Sequence, residues 1–231
     1  MKPGEVWIVG GNKGCVGKSA FAKAMGEYWI EEAGDVVIAD GDVDGDVARV
    51  FNGRVQTSSF DLATRAGWAD LTDWLYTLEL NARLPIVVNL PDSVTEHTLG
   101  ALERYRPTAD ALGIKTHGCF VMNALPDGLS MLFPLTRIVK NVYPVKNLYF
   151  GNANEFVTFD RKFARHFQDT TIYFPRMNPR IMNEIRDASL SYREVMNARP
   201  NQPCSTILHR LEASLWLGRA LDSIAEVMFD D

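Results

Sequence analysis

Cysteine is scarce in this sequence, and long apolar runs are missing from it. The three cysteines, Cys15, Cys119 and Cys204, lie far apart without paired spacing, which argues against a disulfide framework and against a zinc site. Such cysteine usage fits a reducing cytoplasm. No stretch approaches the about 20 apolar residues that cross a bilayer, and the first apolar run is too short for a signal peptide. We therefore expect a soluble, cytoplasmic protein without a transmembrane segment.

Positive charge is also in deficit. The chain carries 24 Lys and Arg against 29 Asp and Glu, a formal net charge of −5. This balance argues against the whole molecule being an electrostatic partner for nucleic acid. Residues 160–210 reverse the balance locally, because basic side chains outnumber acidic ones there. A solvated surface accounts for that local excess, and direct DNA binding through it is the alternative.

Short apolar segments alternate with segments of helical periodicity along most of the chain. We predict strands at residues 5–10, 35–40, 85–91, 117–123, 147–152 and 170–174, and helices at residues 19–34, 70–78, 95–112, 129–142 and 155–168. Strands that alternate with helices favour a parallel sheet covered on both faces. The sequence therefore predicts an α/β fold of three layers with a mostly parallel central sheet.

A glycine-rich turn follows the first predicted strand and opens the first predicted helix. Its sequence, GNKGCVGKSA, ends in the Gly-Lys-Ser of a phosphate-binding loop, in which backbone N–H groups cradle phosphate oxygens. Lys18 supplies a positive charge to the outer phosphates, and the Ser19 hydroxyl is a ligand for Mg²⁺. The general pattern has glycine where this chain has Asn12, a residue type that tolerates left-handed backbone. The predicted nucleotide contacts in this loop are Gly11, Asn12, Lys13, Gly14, Cys15, Val16, Gly17, Lys18, Ser19 and Ala20.

The same loop contains a second lysine, Lys13, five residues ahead of Lys18. The stretch KGCVGKS resembles the deviant Walker motif K-G-G-x-G-K-[ST] of the ParA/MinD class of P-loop ATPases, with Cys15 in place of a glycine. In that class the early lysine reaches across a nucleotide-sandwich dimer to the phosphates held by the partner subunit. The resemblance implies a SIMIBI-type domain that binds ATP and Mg²⁺ and forms a homodimer on ATP. It gives Lys13 and Lys18 catalytic roles, whereas a solvated loop lysine is the alternative for Lys13.

An acidic stretch, DGDVDGDVARVF, follows the second predicted strand. It matches the start of a calcium loop, but Phe51 stands where a bidentate glutamate is required, and the stretch follows a strand. In the resembled class, an aspartate at this place orients the attacking water and lies near Mg²⁺. The resemblance assigns that catalytic and metal-binding role to Asp42, with Asp46 as a second, switch-type carboxylate. Asp40 and Asp44 are expected to be solvated or to cap a helix.

The third predicted strand departs from the resembled class. It contains Asn89, where the class has the Walker B aspartate, and an amide supplies no negative charge for holding Mg²⁺ and its waters. Asp92, in the following loop, is the predicted catalytic substitute. The alternative is that ATP is bound but hydrolysed slowly or not at all.

The base-binding end is predicted from the resemblance. Members of the class often present an asparagine at the end of a late strand to read adenine, which points to Asn152, with Asn123 as a second candidate. The segment YFPRMNPRIMNEIR resembles the nitrogenase iron protein branch and places Pro175 and Arg176 near base and ribose. Asparagine is also a common turn residue, so a plain turn is the alternative.

The last part of the chain looks like an appendage. We predict a P-loop nucleotide-binding domain over residues 1–196, and over residues 197–231 a linker and a C-terminal helix packed on the domain or on a partner subunit. The helix has an apolar stripe, with Leu208, Leu211 and Leu215 among its members, but few basic residues. It therefore lacks the composition of a membrane-binding amphipathic helix.

Taken together, the motifs predict an ATP-dependent dimerising switch ATPase of the ParA/MinD type. Resemblance to plasmid-encoded members such as the StbB and TraL types implies a role in plasmid segregation or conjugative transfer. It also implies a protein partner, either a DNA-bound adaptor or the transfer machinery. The alternatives are a nucleotide-binding adaptor that does not hydrolyse ATP and a P-loop kinase acting on a small molecule.

Overall fold

The computed structural model describes residues 4–11, 13–42, 45–79, 84–91, 95–126 and 129–228. Its strands are β1 Glu5–Gly11, β2 Val37–Asp40, β3 Gln56–Ser59, β4 Ile86–Asn89, β5 Lys115–Met122, β6 Asn141–Asn147 and β7 Ile172–Phe174. Its α-helices are α1 Lys18–Ala33, α2 Asp46–Phe51, α3 Arg65–Glu79, α4 Glu96–Ala111, α5 Leu132–Ile138, α6 Val157–Lys162, α7 Pro179–Asp187, α8 Tyr192–Met196 and α9 Ile207–Met228.

The seven strands form one sheet in the order β3-β2-β4-β1-β5-β6-β7, and every neighbouring pair is parallel. The predicted three-layer α/β fold with a parallel sheet is confirmed. β1 lies at the centre between β4 and β5, and the chain crosses over β1 when it passes from β4 to β5. In open parallel sheets, ligands bind in the crevice at the carboxyl ends of strands beside such a crossover. The loop after β1 lies at that end.

Alternating side chains of the strands build one apolar core on each face of the sheet. Val6 and Ile8 of β1 pack with α3, α4, α5 and α6 on one face, whereas Trp7 and Val9 pack with α1, α2, α7, α8 and α9 on the other. Because successive side chains of β1 point to opposite faces of the sheet, this one strand contributes to both apolar cores. β1 is held rigidly between them, which fixes the position from which the glycine-rich loop departs.

The predicted elements between residues 129 and 168 are partly wrong. The predicted helix at 129–142 ends at Ile138, and Asn141–Asn147 forms β6. Residues 148–150, predicted to be a strand, form a short 3₁₀ turn. β6 was not recognised because Pro144 and Lys146 interrupt its apolar pattern. The buried ammonium group of Lys146 is compensated by Asp160 at 2.6 Å, a partner that the local sequence does not reveal. The predicted helix at 155–168 is reduced to α6 flanked by 3₁₀ turns.

The C-terminal helix α9 packs on the body of the fold against α1, β7 and α8. Trp216 is almost completely buried, and its indole N–H donates a hydrogen bond to the carbonyl oxygen of Pro175 at 2.9 Å. Leu208, Leu211 and Leu215, in the first half of the predicted apolar stripe, are exposed on the single chain. Among the described residues, none of the helices combines the length and apolarity that crossing a bilayer requires.

Candidate nucleotide site

The loop between β1 and α1 is shaped by glycine. Gly17 ends the loop with φ +94°, and α1 begins at the next residue. A Cβ at Gly17 would lie 2.2 Å from Nδ2 of Asn147, so a side chain there would displace the amide that hydrogen-bonds to Val16 and would also strain the backbone. A Cβ at Gly11 would approach the carbonyl oxygen of Val121 to 2.7 Å. Gly11 is the last residue of β1 and the register partner of Val121 in β5, and Asn147 ends β6, so the loop starts and ends beside the carboxyl ends of β5 and β6.

The side chain of one loop lysine contacts the backbone of the other. Lys18, the first residue of α1, is buried, and its ammonium group donates a hydrogen bond to the main-chain carbonyl oxygen of Lys13 at 3.2 Å. Lys13 is half-buried at the start of the turn. The structure therefore brings together the two residues that were predicted from the doubled lysine pattern, one inside the loop and one at its edge.

The other loop residues differ in burial. Val16 is fully buried in the core beneath α1, whereas Gly14 and Cys15 are exposed. Cys15 has φ +60°, a left-handed conformation that costs an L-residue about 1–2 kcal/mol. That conformation explains why the resembled motif has glycine at this place. Ser19 and Ala20 are half-buried in the first turn of α1.

A cavity of about 290 Å³ extends from the loop along α1 towards α7 and α8. The loop contributes Cys15 and the first turn of α1, and the opposite wall is largely apolar. That wall is formed by Tyr149, Phe150, Phe174, Met182, Ile185, Arg186, Leu190 and Tyr192. A polar, positively charged end joined to an apolar, aromatic end matches the two ends of a nucleotide. Burial raises the pKa of the Tyr192 phenol, and the charges of Asp46 and Glu27 raise it further, so this hydroxyl stays protonated.

Asn147, at the end of β6, was missed by sequence reasoning. It is buried, and its Nδ2 donates a hydrogen bond to the carbonyl oxygen of Val16 at 2.8 Å, while its Oδ1 accepts one from the N–H of Tyr149 at 3.1 Å. It lines the cavity and braces the loop. The sequence signal was present, since Asn147 ends a segment of alternating residues, but the strand was predicted to begin rather than end there.

The residues predicted to bind the base lie elsewhere. Asn152 is exposed and hydrogen-bonded to Glu155 in a 3₁₀ turn, because the strand predicted to carry it ends five residues earlier, and it does not line the cavity. Asn123 follows β5 and accepts a hydrogen bond from the N–H of Leu125. Pro175 and Arg176 follow β7 outside the cavity, and Arg186 of α7 is the arginine that lines it.

Asp40 is the buried member of the acidic stretch. Its Oδ2 accepts hydrogen bonds from the N–H groups of Val47 and Ala48 at 2.9 and 3.0 Å, so it caps the first turn of α2. Capping was one of its two predicted roles, and solvation is excluded because the residue is completely buried. Asp42, two residues on, is exposed, and its N–H donates a hydrogen bond to Oδ1 of Asp40 at 3.3 Å. Asp42 therefore follows the cap, at the carboxyl end of the sheet.

Asp46 connects the cavity to α2. Its carboxylate pairs with the buried Lys23 of α1 at 2.7 Å, and both residues line the cavity. The helix that begins the nucleotide site and the short helix after the acidic stretch are thus joined by an ion pair. The switch-type role of Asp46 stays a prediction.

The oxygen donors at this end of the sheet suit Mg²⁺. The Ser19 hydroxyl, the Asp42 carboxylate and Oδ1 of Asn89 are the ligand types that Mg²⁺ and its water shell prefer. Oδ1 of Asn89 is buried without a hydrogen-bond partner in the described part of the chain, so a hydrogen-bond donor at this position would be stabilising. No cluster of three His, Cys, Asp or Glu occurs among the described residues. Asn12, Asp44 and Asp92 lie outside the described residues.

Comparisons with known proteins agree with this geometry. No protein family model matches the sequence. Protein MobD of Acidithiobacillus ferrooxidans is 23% identical over 223 residues, which cover 94% of each chain. A ParA family ATPase from Chlorobium tepidum TLS superposes with a TM-score of 0.57 at 13% identity, covering 94% of this chain and 98% of that one. A nucleotide-binding protein from Archaeoglobus fulgidus, solved in complex with ADP, gives 0.53 at 14% identity, covering 80% and 86%. At these identities the structural likeness is one of fold, and the chain has the fold of a ParA-type P-loop ATPase.

Proposed function

We propose that this protein is an ATP- and Mg²⁺-binding switch of the ParA/MinD type that dimerises when ATP is bound. The observation that carries the proposal is the loop with two lysines, in which buried Lys18 contacts the backbone of Lys13 at the edge of the site. The likeness of fold to a ParA family ATPase supports it. So does the cavity, which continues from the phosphate loop to an apolar, aromatic wall of the chemistry that suits a base.

Each residue of the site has a physical task in this proposal. The backbone N–H groups at the start of α1 and the Lys18 ammonium group bind the phosphates, and Ser19 and Asp42 hold the metal. Bound Mg²⁺ would compensate phosphate charge. Lys13 offers its ammonium group to the triphosphate of a second subunit, so that two chains gain favourable charge contacts only when both hold ATP. Nucleotide binding and association are thereby coupled.

The biological setting is proposed from the resemblance of the loop to plasmid-encoded members of the class. The protein would act in the cytoplasm, in plasmid segregation or conjugative transfer, by positioning a protein partner. Direct DNA contact through residues 160–210 is not part of the proposal. Arg193 pairs with Glu27 and Glu31 of α1, outside that region, and the net charge of the whole chain is −5.

Sedimentation velocity tests the proposal. We expect the unaltered protein to shift from monomer to dimer with ATP and Mg²⁺ but not with ADP, and Lys13→Ala to bind ATP yet remain monomeric. Lys162→Ala, which removes an exposed lysine of α6, is the matched control and should dimerise normally. Dimerisation of Lys13→Ala at the same ATP concentration as the unaltered chain would refute the trans role of Lys13.

A second candidate, a nucleotide-binding adaptor that does not hydrolyse ATP, is favoured by Asn89. This residue occupies the Walker B place with an amide that is already hydrogen-bonded to Asp40 at 2.9 Å. An amide brings no negative charge to the metal. The two candidates separate in a phosphate-release assay. Release above background selects the ATPase, and tight ATP binding without release selects the adaptor.

A further inference from the structure

Asn89 and Asp40 face one another at the carboxyl ends of adjacent strands. They are register partners of β4 and β2, and Nδ2 of Asn89 donates a hydrogen bond to Oδ1 of Asp40 at 2.9 Å. Both side chains are buried, Asp40 completely and Asn89 to all but 2% of its surface. The contact therefore lies in an environment of low dielectric, in which charges and hydrogen bonds act strongly.

The direction of this hydrogen bond is fixed by the other partners of Asp40. Its Oδ2 accepts from the N–H groups of Val47 and Ala48, and its Oδ1 also accepts from the N–H of Asp42. All of these partners are donors, so Asp40 acts purely as an acceptor. The amide of Asn89 must therefore turn its NH₂ group towards Asp40 and its carbonyl oxygen away. Asp40 in turn joins β4, the loop after β2 and the first turn of α2.

The other end of the amide has no partner in the described part of the chain. Oδ1 of Asn89 is buried and accepts no hydrogen bond there. A buried acceptor left unsatisfied costs about 1–3 kcal/mol, so its position calls for a donor such as an ordered water. Asn89 directly precedes the loop at the carboxyl end of β4, the edge at which Asp42 and the phosphate loop also lie.

We propose that Asn89 is a positioning residue with two tasks. Its NH₂ group holds Asp40, and through Asp40 the first turn of α2, while its carbonyl oxygen accepts a hydrogen bond from a water of the magnesium shell. The magnesium task rests on the proposed function, and the Asp40 task does not. On this account, Asn89 is matched to Asp40, and an aspartate at position 89 harms the site instead of restoring a metal ligand.

The physical reason is a clash of charge. Asn89→Asp replaces the donor that faces Asp40 with a second acceptor and places two carboxylates at hydrogen-bonding distance inside the protein. Exchanging the two residues, in the double variant Asp40→Asn with Asn89→Asp, restores one amide–carboxylate hydrogen bond. The amide oxygen at position 40 can still accept from the N–H groups of Val47 and Ala48, whereas the longer hydrogen bond from the N–H of Asp42, at 3.3 Å, is lost. The exchange is therefore expected to rescue most, but not all, of what the single change loses.

Melting temperatures test the Asp40 task without any nucleotide. At pH 8 we expect Asn89→Asp to lower the melting temperature by about 6 °C or more, and the exchanged double variant to recover at least half of that loss. The matched control is Asn152→Asp, because Asn152 also donates to a carboxylate, that of Glu155, but does so at the exposed surface. It should change the melting temperature by less than about 2 °C, because water screens the exposed pair.

Titration with a fluorescent ATP analogue, with Mg²⁺ and with EDTA, tests the magnesium task. We expect Asn89→Asp to bind the ATP analogue with Mg²⁺ about tenfold more weakly than the unaltered protein. Asn89→Leu, which lacks both polar ends, should lose most of the difference between Mg²⁺ and EDTA. If Asn89→Asp had an unchanged melting temperature and bound the ATP analogue more tightly with Mg²⁺, the proposal would be overturned. Position 89 would then be a metal-ligand position at which aspartate binds better than asparagine.

The outcomes separate this inference from the proposed function. If the unaltered chain binds no ATP, the proposed function and the magnesium task both fail, and the melting temperatures still decide the Asp40 task. If Asn89→Asp does not fold, folding of the exchanged double variant supports the charge clash. Failure of both variants to fold overturns it, because the exchange would then have rescued nothing.

Discussion

The side-chain amide of Asn147 donates a hydrogen bond to the main-chain carbonyl oxygen of Val16 at 2.8 Å, across 131 residues of sequence. This contact joins the end of β6 to the phosphate loop. Asn147 also accepts from the N–H of Tyr149, which lines the apolar end of the cavity. One buried side chain thus ties the phosphate end of the candidate site to its base end.

Asn147→Ala should therefore weaken both stability and nucleotide binding. It leaves a buried carbonyl oxygen of the loop without its donor, which costs about 1–3 kcal/mol of unfolding free energy. Asn152→Ala is the control, because Asn152 is exposed and its side chain hydrogen-bonds to Glu155 at the surface, outside the cavity lining. Thermal unfolding and ATP titration measure both effects. Equal effects of the two substitutions would contradict the role assigned to Asn147.

Lys18→Ala should reduce ATP affinity by about 10- to 100-fold, since a charge-assisted hydrogen bond contributes about 1.5–3 kcal/mol. Isothermal titration calorimetry measures the loss. Lys162→Ala, at an exposed lysine of α6, should bind ATP like the unaltered chain. An affinity for ATP that survives the removal of Lys18 would show that the nucleotide lies elsewhere.

Gly17→Ala should abolish nucleotide binding, whereas Gly34→Ala should not. Both glycines have positive φ, +94° and +80°, so both substitutions carry a conformational cost of about 1–2 kcal/mol. They differ in space, because a Cβ at Gly17 would meet Nδ2 of Asn147 at 2.2 Å and a Cβ at Gly34 would meet nothing within 4 Å. Comparing the two variants therefore separates the effect of backbone strain, which both share, from the effect of the steric clash, which only Gly17→Ala has. Unfolding and titration experiments on both variants give the comparison.

Cys15 should react with iodoacetamide faster than the other cysteines, and ATP should slow the reaction. Cys15 is exposed and lines the cavity, whereas burial raises the pKa values of Cys119 and Cys204, which keeps both thiols in their unreactive protonated form. Mass spectrometry after timed labelling gives the rate at each position. Labelling of Cys15 at an unchanged rate in saturating ATP would place the nucleotide away from the loop.

Much of the central architecture could be predicted from the sequence. The predicted bounds of β1, α1 and β5 lie within two residues of the observed ones, and the glycine-lysine-serine turn marks the start of α1 by its own chemistry. β3, α2 and α8 were not predicted, because they are only four to six residues long. α7 was also missed, although Ile181 and Ile185 recur in it at helical spacing and are buried. β6 was misplaced, since Lys146 reads as a surface residue until Asp160 is seen beside it.

The sequence by itself determined the alternation of strands and helices that implies a parallel α/β fold, and it determined the phosphate loop, because both are patterns of residues close together in the chain. Tertiary structure alone decided that Asn147 braces the loop, that Asn89 faces Asp40 and that Asp46 pairs with Lys23. These contacts join residues 131, 49 and 23 positions apart. Their energies depend on burial and on the direction of each hydrogen bond, which exist only once the sheet has brought the strand ends together.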